Sequence, residues 1–156
     1  LWNRQGLRTM LPATVRRAQR EGLKVAFIYG DLDHFKRIND KYGHAAGDQV
    51  LIQAGQRMVA AIRPNDMALR LGGEELGVLA LVADERELEL MAERLRLAFC
   101  RQPFELAAGA LDVTISLGTA LAEPAEVGDE GHTLVERADA GLYQAKREGR
   151  NRVARG

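Results

Sequence analysis

Two acidic stretches of the chain are spaced so that a folded sheet could bring them together. The first is Asp31-Leu32-Asp33, which follows an apolar run. The second is Glu74-Glu75, which follows Gly72-Gly73 between two short apolar runs. A glycine pair between apolar runs predicts a β-hairpin, with the glycines free to take positive φ at the turn. If the strands are neighbours, the carboxylates converge at one edge of the sheet.

Clustered carboxylates without histidine or further cysteine suit hard, oxygen-seeking ions, above all Mg²⁺. Mg²⁺ held by few protein oxygens normally takes its other ligands from phosphates and water, and two such ions can support phosphoryl or nucleotidyl transfer. Because adjacent strand residues point to opposite faces, Glu74 and Glu75 should have different roles. A solvated hairpin tip also carries acids, and that reading stays open. The spacing alone therefore predicts a metal-dependent nucleotide site and goes no further.

The elements that must position these acids alternate between helical and strand patterns. A kink or new turn is expected at Pro12, a capping box at Asp84 and Glu87, and a surface loop over 122–131. The predicted order, α-β-α-α-β-β-α-β-β-α-β, favours an α/β (α+β) sandwich. Its central sheet is antiparallel-rich with helices on both faces, of the palm or nucleotidyl-cyclase kind. Helical patterns cover 3–21, 35–39, a segment opening at 43–48 and ending at 64, a segment from 84 to before 103, and 133–148; strand patterns cover 25–29, 67–71, 76–81, 104–106, 111–121 and 151–154.

Composition restricts the class of protein. The chain has 156 residues, enough for one domain with a real core, and we expect 1–156 to form a single domain. Lys plus Arg and Asp plus Glu are equal at 22 each, so no overall field favours nucleic acid or an anionic membrane. The single cysteine, Cys100, fits a reducing compartment. No signal peptide or initiator Met is present, and we expect a cytoplasmic C-terminal piece of a longer signalling protein, itself soluble or membrane-anchored.

The motifs resemble those of the GGDEF domain, the catalytic module of bacterial diguanylate cyclases, over nearly all of the chain. The signature here is the variant Gly72-Gly73-Glu74-Glu75-Leu76. Each motif is weak alone, but together and in this order they are highly specific. The other matching segments are Leu1-Trp2-Asn3-Arg4, which resembles the end of DxLTGLxNR; Asp31 to Lys36, Asn39-Asp40 and Gly43-His44 to Gly47-Asp48, which follow DxDxFKxxND…GHxxGD; 113–118; and 138–152.

The resemblance implies that two GTP molecules condense to cyclic di-GMP with release of two pyrophosphates, across a two-fold pair of domains. It implies Mg²⁺ as the cofactor, with Mn²⁺ a possible substitute. By the same resemblance, the catalytic residues are Glu74 and Glu75. The metal would be bound by Asp31, Glu74 and the Leu32 carbonyl. The substrate would be bound by Phe35, Lys36, Asn39, His44, Asp48, Gly72, Gly73, Lys146 and Arg150.

Some of these residues have ordinary structural explanations. Asp48 also lies where a helix N-terminus favours an acid, and His44 lies in a glycine-flanked turn. Lys146 and Arg150, four residues apart, would also suit a solvated helix C-terminus. The segment Arg63-Pro64-Asn65-Asp66 matches the RxxD motif of the family's product-inhibition site, which Arg94 is expected to join; elsewhere the same residues would form a simple helix end and turn.

The chain departs from the family pattern at three positions near the acids. Leu76 replaces the usual phenylalanine, Gly77 follows it, and Gly30 stands where an aliphatic residue is usual. We expect the change at Leu76 to cost about 1 kcal/mol in packing. A shift near 1 Å at the carboxylates would lower activity. The alternative function is therefore a weakly active or inactive domain that binds cyclic di-GMP or GTP as a regulatory module.

Overall fold

The structure, a computed structural model, describes residues 1–128 and 130–156. Within them the elements follow the predicted order, except that three strands rather than two lie between the fourth and fifth helices. The helices are α1 (Arg4–Glu21), α2 (Phe35–Tyr42), α3 (His44–Ala61), α4 (Glu85–Cys100) and α5 (His132–Arg147); the strands are β1 (Lys24–Leu32), β2 (Met67–Arg70), β3 (Glu75–Val82), β4 (Phe104–Leu106), β5 (Gly109–Leu111), β6 (Ile115–Ala122) and β7 (Val153–Arg155).

The main sheet has the strand order β2-β3-β1-β6-β7. The pairs β2–β3, β3–β1 and β1–β6 are antiparallel, and β7 joins the edge parallel to β6. Strand β1 lies at the centre of the sheet, and helices pack on both faces of the sheet, so its side chains are buried on both sides. This explains why its sequence is a continuous apolar run rather than an alternating one. The predicted fold class is confirmed.

Two apolar layers cover the two faces of the sheet. On one face, α1 and α5 pack against the β1 side chains of Val25, Phe27 and Tyr29. On the other face, α3 and α4 pack against alternate residues of the same strand, among them Ala26 and Ile28. Asp31 continues the first set and Leu32 the second, since side chains alternate along a strand. The end of β1 therefore presents Asp31 on the face that α5 covers.

Several boundaries differ from the prediction. The predicted strand 111–121 is confirmed over 115–121, which lie in β6, but its first part is wrong: Leu111 ends β5, which pairs with β4 in a separate two-stranded sheet. Between them, the Thr114 hydroxyl donates to the Asp33 carboxylate, which turns the chain into the main sheet. Helix α1 runs through Pro12, which lies on its exposed side, so no new helix begins there.

Two local predictions around helix ends have mixed outcomes. Asp84 caps α4 by accepting from the Glu87 N–H at 2.9 Å, as expected. The Glu87 carboxylate, however, accepts from the Ala83 N–H rather than from the capping residue, so the predicted box is incomplete. The predicted loop 122–131 contains a 3₁₀ turn at Pro124–Glu126, and its residue Asp129 lies outside the described residues. Among the described helices, none combines the length and apolar character needed to cross a bilayer.

Candidate active site

A cleft of about 310 Å³ opens where β1 ends. Asp31 pairs with Glu75 in the β1–β3 ladder, and the Leu32 N–H donates to the Glu74 carbonyl at 3.3 Å. The hairpin thus brings its acids to the end of β1, as predicted. Helix α5 closes the opposite wall. The cleft is lined by Asp31, Leu32, Asp33, His34, Phe35, Lys36, Arg37, Glu74, Lys146 and Arg150.

Asp31 forms an ion pair across this cleft. The Lys146 ammonium lies 3.0 Å from the Asp31 carboxylate, and the Asp31 side chain is 14% exposed. Burial raises the pKa of Asp31 above its ordinary value, and the charges of Glu74 and Glu75 raise it further, while Lys146 opposes them. Asp31 is therefore a buried carboxylate whose charged form a further cation would stabilise.

Glu75 has a partner that the sequence did not reveal. The Tyr29 hydroxyl donates to the Glu75 carboxylate at 3.0 Å and accepts from the Arg4 guanidinium at 3.1 Å. The Arg4 Nε–H in turn donates to the Leu71 carbonyl at 3.0 Å. Burial, and then the hydrogen bond to Glu75, raise the pKa of Tyr29 to about 12, so the hydroxyl keeps its proton at any ordinary pH. This chain of contacts fixes Glu75 against the helix layer of α1, whereas Glu74 lines the cleft.

The two signature glycines differ in what surrounds them. Neither has a positive φ, so the turn does not use the left-handed conformations that glycine allows. A Cβ at Gly72 would lie 2.6 Å from Glu75 Oε1, whereas one at Gly73 would meet nothing within 4 Å. The requirement at Gly72 is therefore room for the Glu75 carboxylate. In the protein alone, Gly73 faces open space.

The donors at the cleft suit a magnesium ion that takes most of its ligands from phosphate and water. Among residues 1–128 and 130–156, no cluster of three or more histidine, cysteine or acidic side chains could enclose a metal. Asp31 and Glu74 nonetheless offer hard oxygen donors in one cleft. Mg²⁺ is commonly held by one or two carboxylates, with phosphate and water as its other ligands. The residues thus fit an ion that arrives with a nucleotide.

The residues expected to read guanine lie at the junction of α2 and α3. Asn39 packs against Gly47, where a Cβ would lie 1.8 Å from Asn39 Oδ1. Asp48 follows Gly47 and lines a separate, larger groove of about 1070 Å³ together with Leu51 and Arg70. The structure therefore brings Phe35 and Lys36 into the cleft but places Asp48 in the neighbouring groove. His44 is exposed at the start of α3.

The RxxD residues are bound to each other. The Arg63 guanidinium holds the Asp66 carboxylate through Nε and Nη2, and the Asp66 side chain is only 2% exposed. Its remaining arm, Nη1, donates to Glu87 at 2.9 Å, and Nη2 also donates to the Leu81 carbonyl. Arg94 is exposed on α4 and is not a partner of Arg63. A small pocket beside Arg63 and Asp66 is bordered by Trp2.

The three departures from the family pattern are accommodated by their neighbours. Leu76 is 1% exposed and packs in the core beneath α3 and α4. A Cβ at Gly30 would lie 2.8 Å from Leu117 and 2.9 Å from Ile115, so those side chains occupy its space. At Gly77 the Phe27 ring approaches a Cβ position to 3.0 Å. Neighbouring side chains therefore fill the space beside both glycines, and neither position is loosely packed.

An antiparallel sandwich whose central strand ends in a carboxylate cleft is the architecture of a nucleotide-processing palm domain. The model of the family "Diguanylate cyclase, GGDEF domain" matches residues 1–152. The response regulator PleD of Caulobacter vibrioides is 39% identical over 155 residues, which cover 98% of this chain and 34% of PleD. This chain belongs to the GGDEF diguanylate cyclase family, and it spans about a third of the length of that relative.

Solved structures agree with this assignment. The GGDEF domain of PA1120 (YfiN or TpbB) from Pseudomonas aeruginosa matches with a TM-score of 0.91 at 32% identity, covering 100% of this chain and 96% of that one. The active GGEEF domain of a diguanylate cyclase from Vibrio cholerae matches with a TM-score of 0.87 at 30% identity, covering 99% and 97% of the two chains. A glutamate at the third signature position therefore occurs in a domain described as active.

Proposed function

We propose that this domain is a diguanylate cyclase that condenses two GTP molecules to cyclic di-GMP, in a Mg²⁺-dependent reaction across a two-fold pair of domains. The observation that carries the proposal is the shared cleft of Asp31, Glu74, Lys146 and Arg150. Two acids and two bases around one opening suit a metal-nucleotide complex, because the acids take the metal and the bases take the phosphates.

The residues present would hold the metal and the triphosphate as follows. Asp31, Glu74 and the Leu32 carbonyl would hold Mg²⁺, or Mn²⁺ in its place. When bound, the ion supplies positive charge against the phosphate oxygens. Lys146 and Arg150 would bind the β- and γ-phosphates, so Lys146 exchanges the Asp31 carboxylate for phosphate oxygens. The open space at Gly73 gives the triphosphate room beside the hairpin tip.

Each condensation step forms one bond and breaks one. The 3′-oxygen of one GTP attacks the α-phosphorus of the GTP on the facing domain, and the bond to pyrophosphate breaks. The hydroxyl proton leaves with Glu74 as the candidate acceptor, since Glu74 lines the cleft while Glu75 is held by Tyr29. Glu75 assists by its charge. Two such steps close the ring and release two pyrophosphates.

Base selection is assigned to the α2–α3 junction. Asp48 would accept from the guanine N1–H and amino group, Asn39 would both donate and accept, and His44 would line the same place. Adenine presents the wrong edge to this set. Asp48 and the cleft share the hairpin region, since Arg70 of β2 lies in the Asp48 groove.

Product inhibition is proposed at Arg63 and Asp66, with Arg94 nearby. Arginine can hold phosphate in a bidentate manner or stack on guanine. In the structure, the Arg63 arm to Glu87 is the one that a ligand can exchange, because that pair lies at the surface with both side chains 39% exposed. The other contacts hold the guanidinium in place.

The experiment that tests the proposal is GTP turnover with Mg²⁺ at high protein concentration, with a cyclic di-GMP phosphodiesterase present to prevent feedback. Chromatography should show cyclic di-GMP or its linear breakdown product, and Glu74→Gln should abolish it. Glu123→Gln, a surface change on the far end of the sheet, is the matched control. A folded wild-type domain that binds nucleotide without forming product would overturn the proposal in favour of the binding-module alternative.

A further inference from the structure

Asp33 is a buried acid outside the proposed chemistry. The residue is 4% exposed, and its carboxylate accepts three hydrogen bonds. Ser116 Oγ donates to Oδ1 at 2.6 Å, and Thr114 Oγ1 donates to Oδ2 at 2.6 Å. The Asn151 backbone N–H donates to Oδ2 at 3.0 Å. One carboxylate therefore joins the end of β1, the start of β6 and the turn between α5 and β7.

That turn has a backbone that side chains rarely adopt. Gly149, Arg150 and Asn151 have φ values of 126°, 66° and 46°, and the last two are not glycine. Such residues persist only where surrounding contacts hold them. Asn151 is held twice, by Asp33 at its N–H and by Arg96 Nη1 at its side-chain oxygen, 3.0 Å away. Arg150 lies between Gly149 and this anchored residue.

The turn determines where Arg150 lies. Arg150 lines the cleft with Asp31, Glu74 and Lys146, although it follows the end of α5. A relaxed turn with ordinary negative φ values would direct the side chain elsewhere. Asp33 itself is not available to a metal in this arrangement, because both of its oxygens already accept from protein donors.

We propose that Asp33 is a positioning residue, whose buried carboxylate holds the left-handed turn that directs Arg150 at the triphosphate of the bound nucleotide. The inference rests on the proposed function, since it needs Arg150 to bind phosphate. It adds a role for the second acid of the Asp31-Leu32-Asp33 stretch. Asp31 would bind the metal, whereas Asp33 positions the phosphate-binding Arg150 through the turn that follows α5.

The test compares binding of 3′-deoxy-GTP and 3′-deoxy-GMP, which lack the attacking hydroxyl, in the presence of Mg²⁺ by calorimetry. Asp33→Ala and Arg150→Ala should each weaken triphosphate binding by about tenfold, as expected for one lost charged contact. Monophosphate binding should not change. The double variant should be no weaker than either single variant, because both act through one contact.

Asp33→Asn keeps the test usable if the alanine variant does not fold. Its single carbonyl oxygen is a weaker acceptor for the Asn151 N–H, so triphosphate binding should weaken while monophosphate binding does not. Ser116→Ala removes a bond to the other oxygen and leaves the Asn151 bond, and it should leave the ratio of the two affinities unchanged. Thermal melts confirm that each variant is folded at the assay temperature.

The possible failures are distinct. One outcome is that Arg150→Ala weakens triphosphate binding selectively, whereas the Asp33 variants have no effect or weaken the binding of both ligands equally. Asp33 is then only a structural residue, and this inference is overturned while the proposed function stands. If Arg150→Ala itself fails to discriminate between the ligands, the phosphate role of Arg150 in the proposed function falls, and this inference falls with it.

Discussion

The Lys146 ammonium lies 3.0 Å from the Asp31 carboxylate, so a base from α5 neutralises the acid at the end of β1. The Lys146 ammonium thereby occupies the place proposed for Mg²⁺, and the Asp31 carboxylate occupies the place proposed for a phosphate group. Mg²⁺ would take the carboxylate and the triphosphate would take the ammonium, so metal and nucleotide should bind together more readily than either alone. Lys146 lowers the pKa of Asp31 against the larger effect of burial and so favours the ionised form of the acid.

Replacing Lys146 should move the acid limit of turnover. In Lys146→Gln the opposing charge is gone, so the pKa of Asp31 rises further above its ordinary value. If Asp31 holds Mg²⁺ as proposed, it must be ionised, so turnover should then begin at higher pH. Loss of the proposed phosphate contact should also lower kcat/KM by roughly tenfold or more. The measurement is the pH profile of kcat/KM. Arg147→Gln, whose guanidinium lies over the Tyr143 ring instead, is the control; an unshifted acid limb in Lys146→Gln would contradict the argument.

Asp31→Asn should stabilise the fold while it abolishes turnover. The pKa of Asp31 is raised in the folded state, chiefly by burial, so its protonated form is favoured there. This contribution to stability is present below the ordinary carboxyl pKa and is lost as pH rises through the higher folded value. The variant should therefore exceed wild type in free energy of unfolding at pH 7, with the gap closing toward acid pH. Urea unfolding across pH 3–8 measures it; Asp40→Asn, at an exposed position, serves as control, and a less stable Asp31→Asn at pH 7 would refute the sign.

Gly72→Ala and Gly73→Ala should fail for different reasons. A Cβ at Gly72 would lie 2.6 Å from Glu75 Oε1, so the carboxylate must move and its bond from Tyr29 weakens, at a cost of about 1 kcal/mol. A Cβ at Gly73 meets open space, so stability should not change. Turnover should fall in both, because a methyl group at Gly73 would crowd the triphosphate. Urea unfolding and turnover on the same preparations separate the two effects, and full activity in Gly73→Ala would remove that residue from the substrate site.

Much of the fold follows from local signals in the sequence. The apolar runs of β1 and β3 and the left-handed Gly22 that ends α1 each follow from burial or backbone sterics that a few neighbouring residues determine. The error at 111–121 arose because the break between β5 and β6 depends on Asp33, which is about eighty residues away in sequence. A local apolar pattern carries no information about such a partner.

The candidate site shows the same division. The grouping of Asp31 with Glu74 was predicted from strand ends, and the structure places both in one cleft. Their assigned roles stay predictions. The contacts of Tyr29, Arg4 and Asp33 were not predicted. A tyrosine in a strand and an arginine in a helix are common, and their roles here arise only from contacts between elements that are distant in sequence. The neighbour of Gly72 was also not predicted: a Cβ at that position would meet the Glu75 carboxylate, whose orientation depends on Tyr29.

Arg63→Ala should destabilise the domain as well as remove product inhibition. The Asp66 side chain is 2% exposed, and the variant keeps only the backbone N–H of residue 63 as a donor to its Oδ2. Asp66 Oδ1 loses its guanidinium donors, and the Leu81 carbonyl loses its donor from Arg63. An unsatisfied buried acceptor of this kind costs about 1–3 kcal/mol. Arg94→Ala, at an exposed position, should leave stability within about 0.5 kcal/mol. Urea unfolding of both variants checks this. An unchanged midpoint in Arg63→Ala would show that the ion pair between Arg63 and Asp66 contributes nothing to the free energy of unfolding.

Glu87→Gln should make product inhibition stronger. Arg63 Nη1 donates to Glu87 at 2.9 Å, so an incoming phosphate or guanine must compete with a carboxylate for that arm. Amide replacement removes the charge but keeps an oxygen that can accept from the Ala83 N–H at the start of α4. Exposed ion pairs contribute about 0.2–1 kcal/mol, so the inhibition constant for cyclic di-GMP should fall by about 1.4- to fivefold. Glu89→Gln, whose partner is Arg155, should leave it unchanged. Weaker inhibition in Glu87→Gln would mean that the carboxylate orients Arg63 for the ligand instead of competing with it.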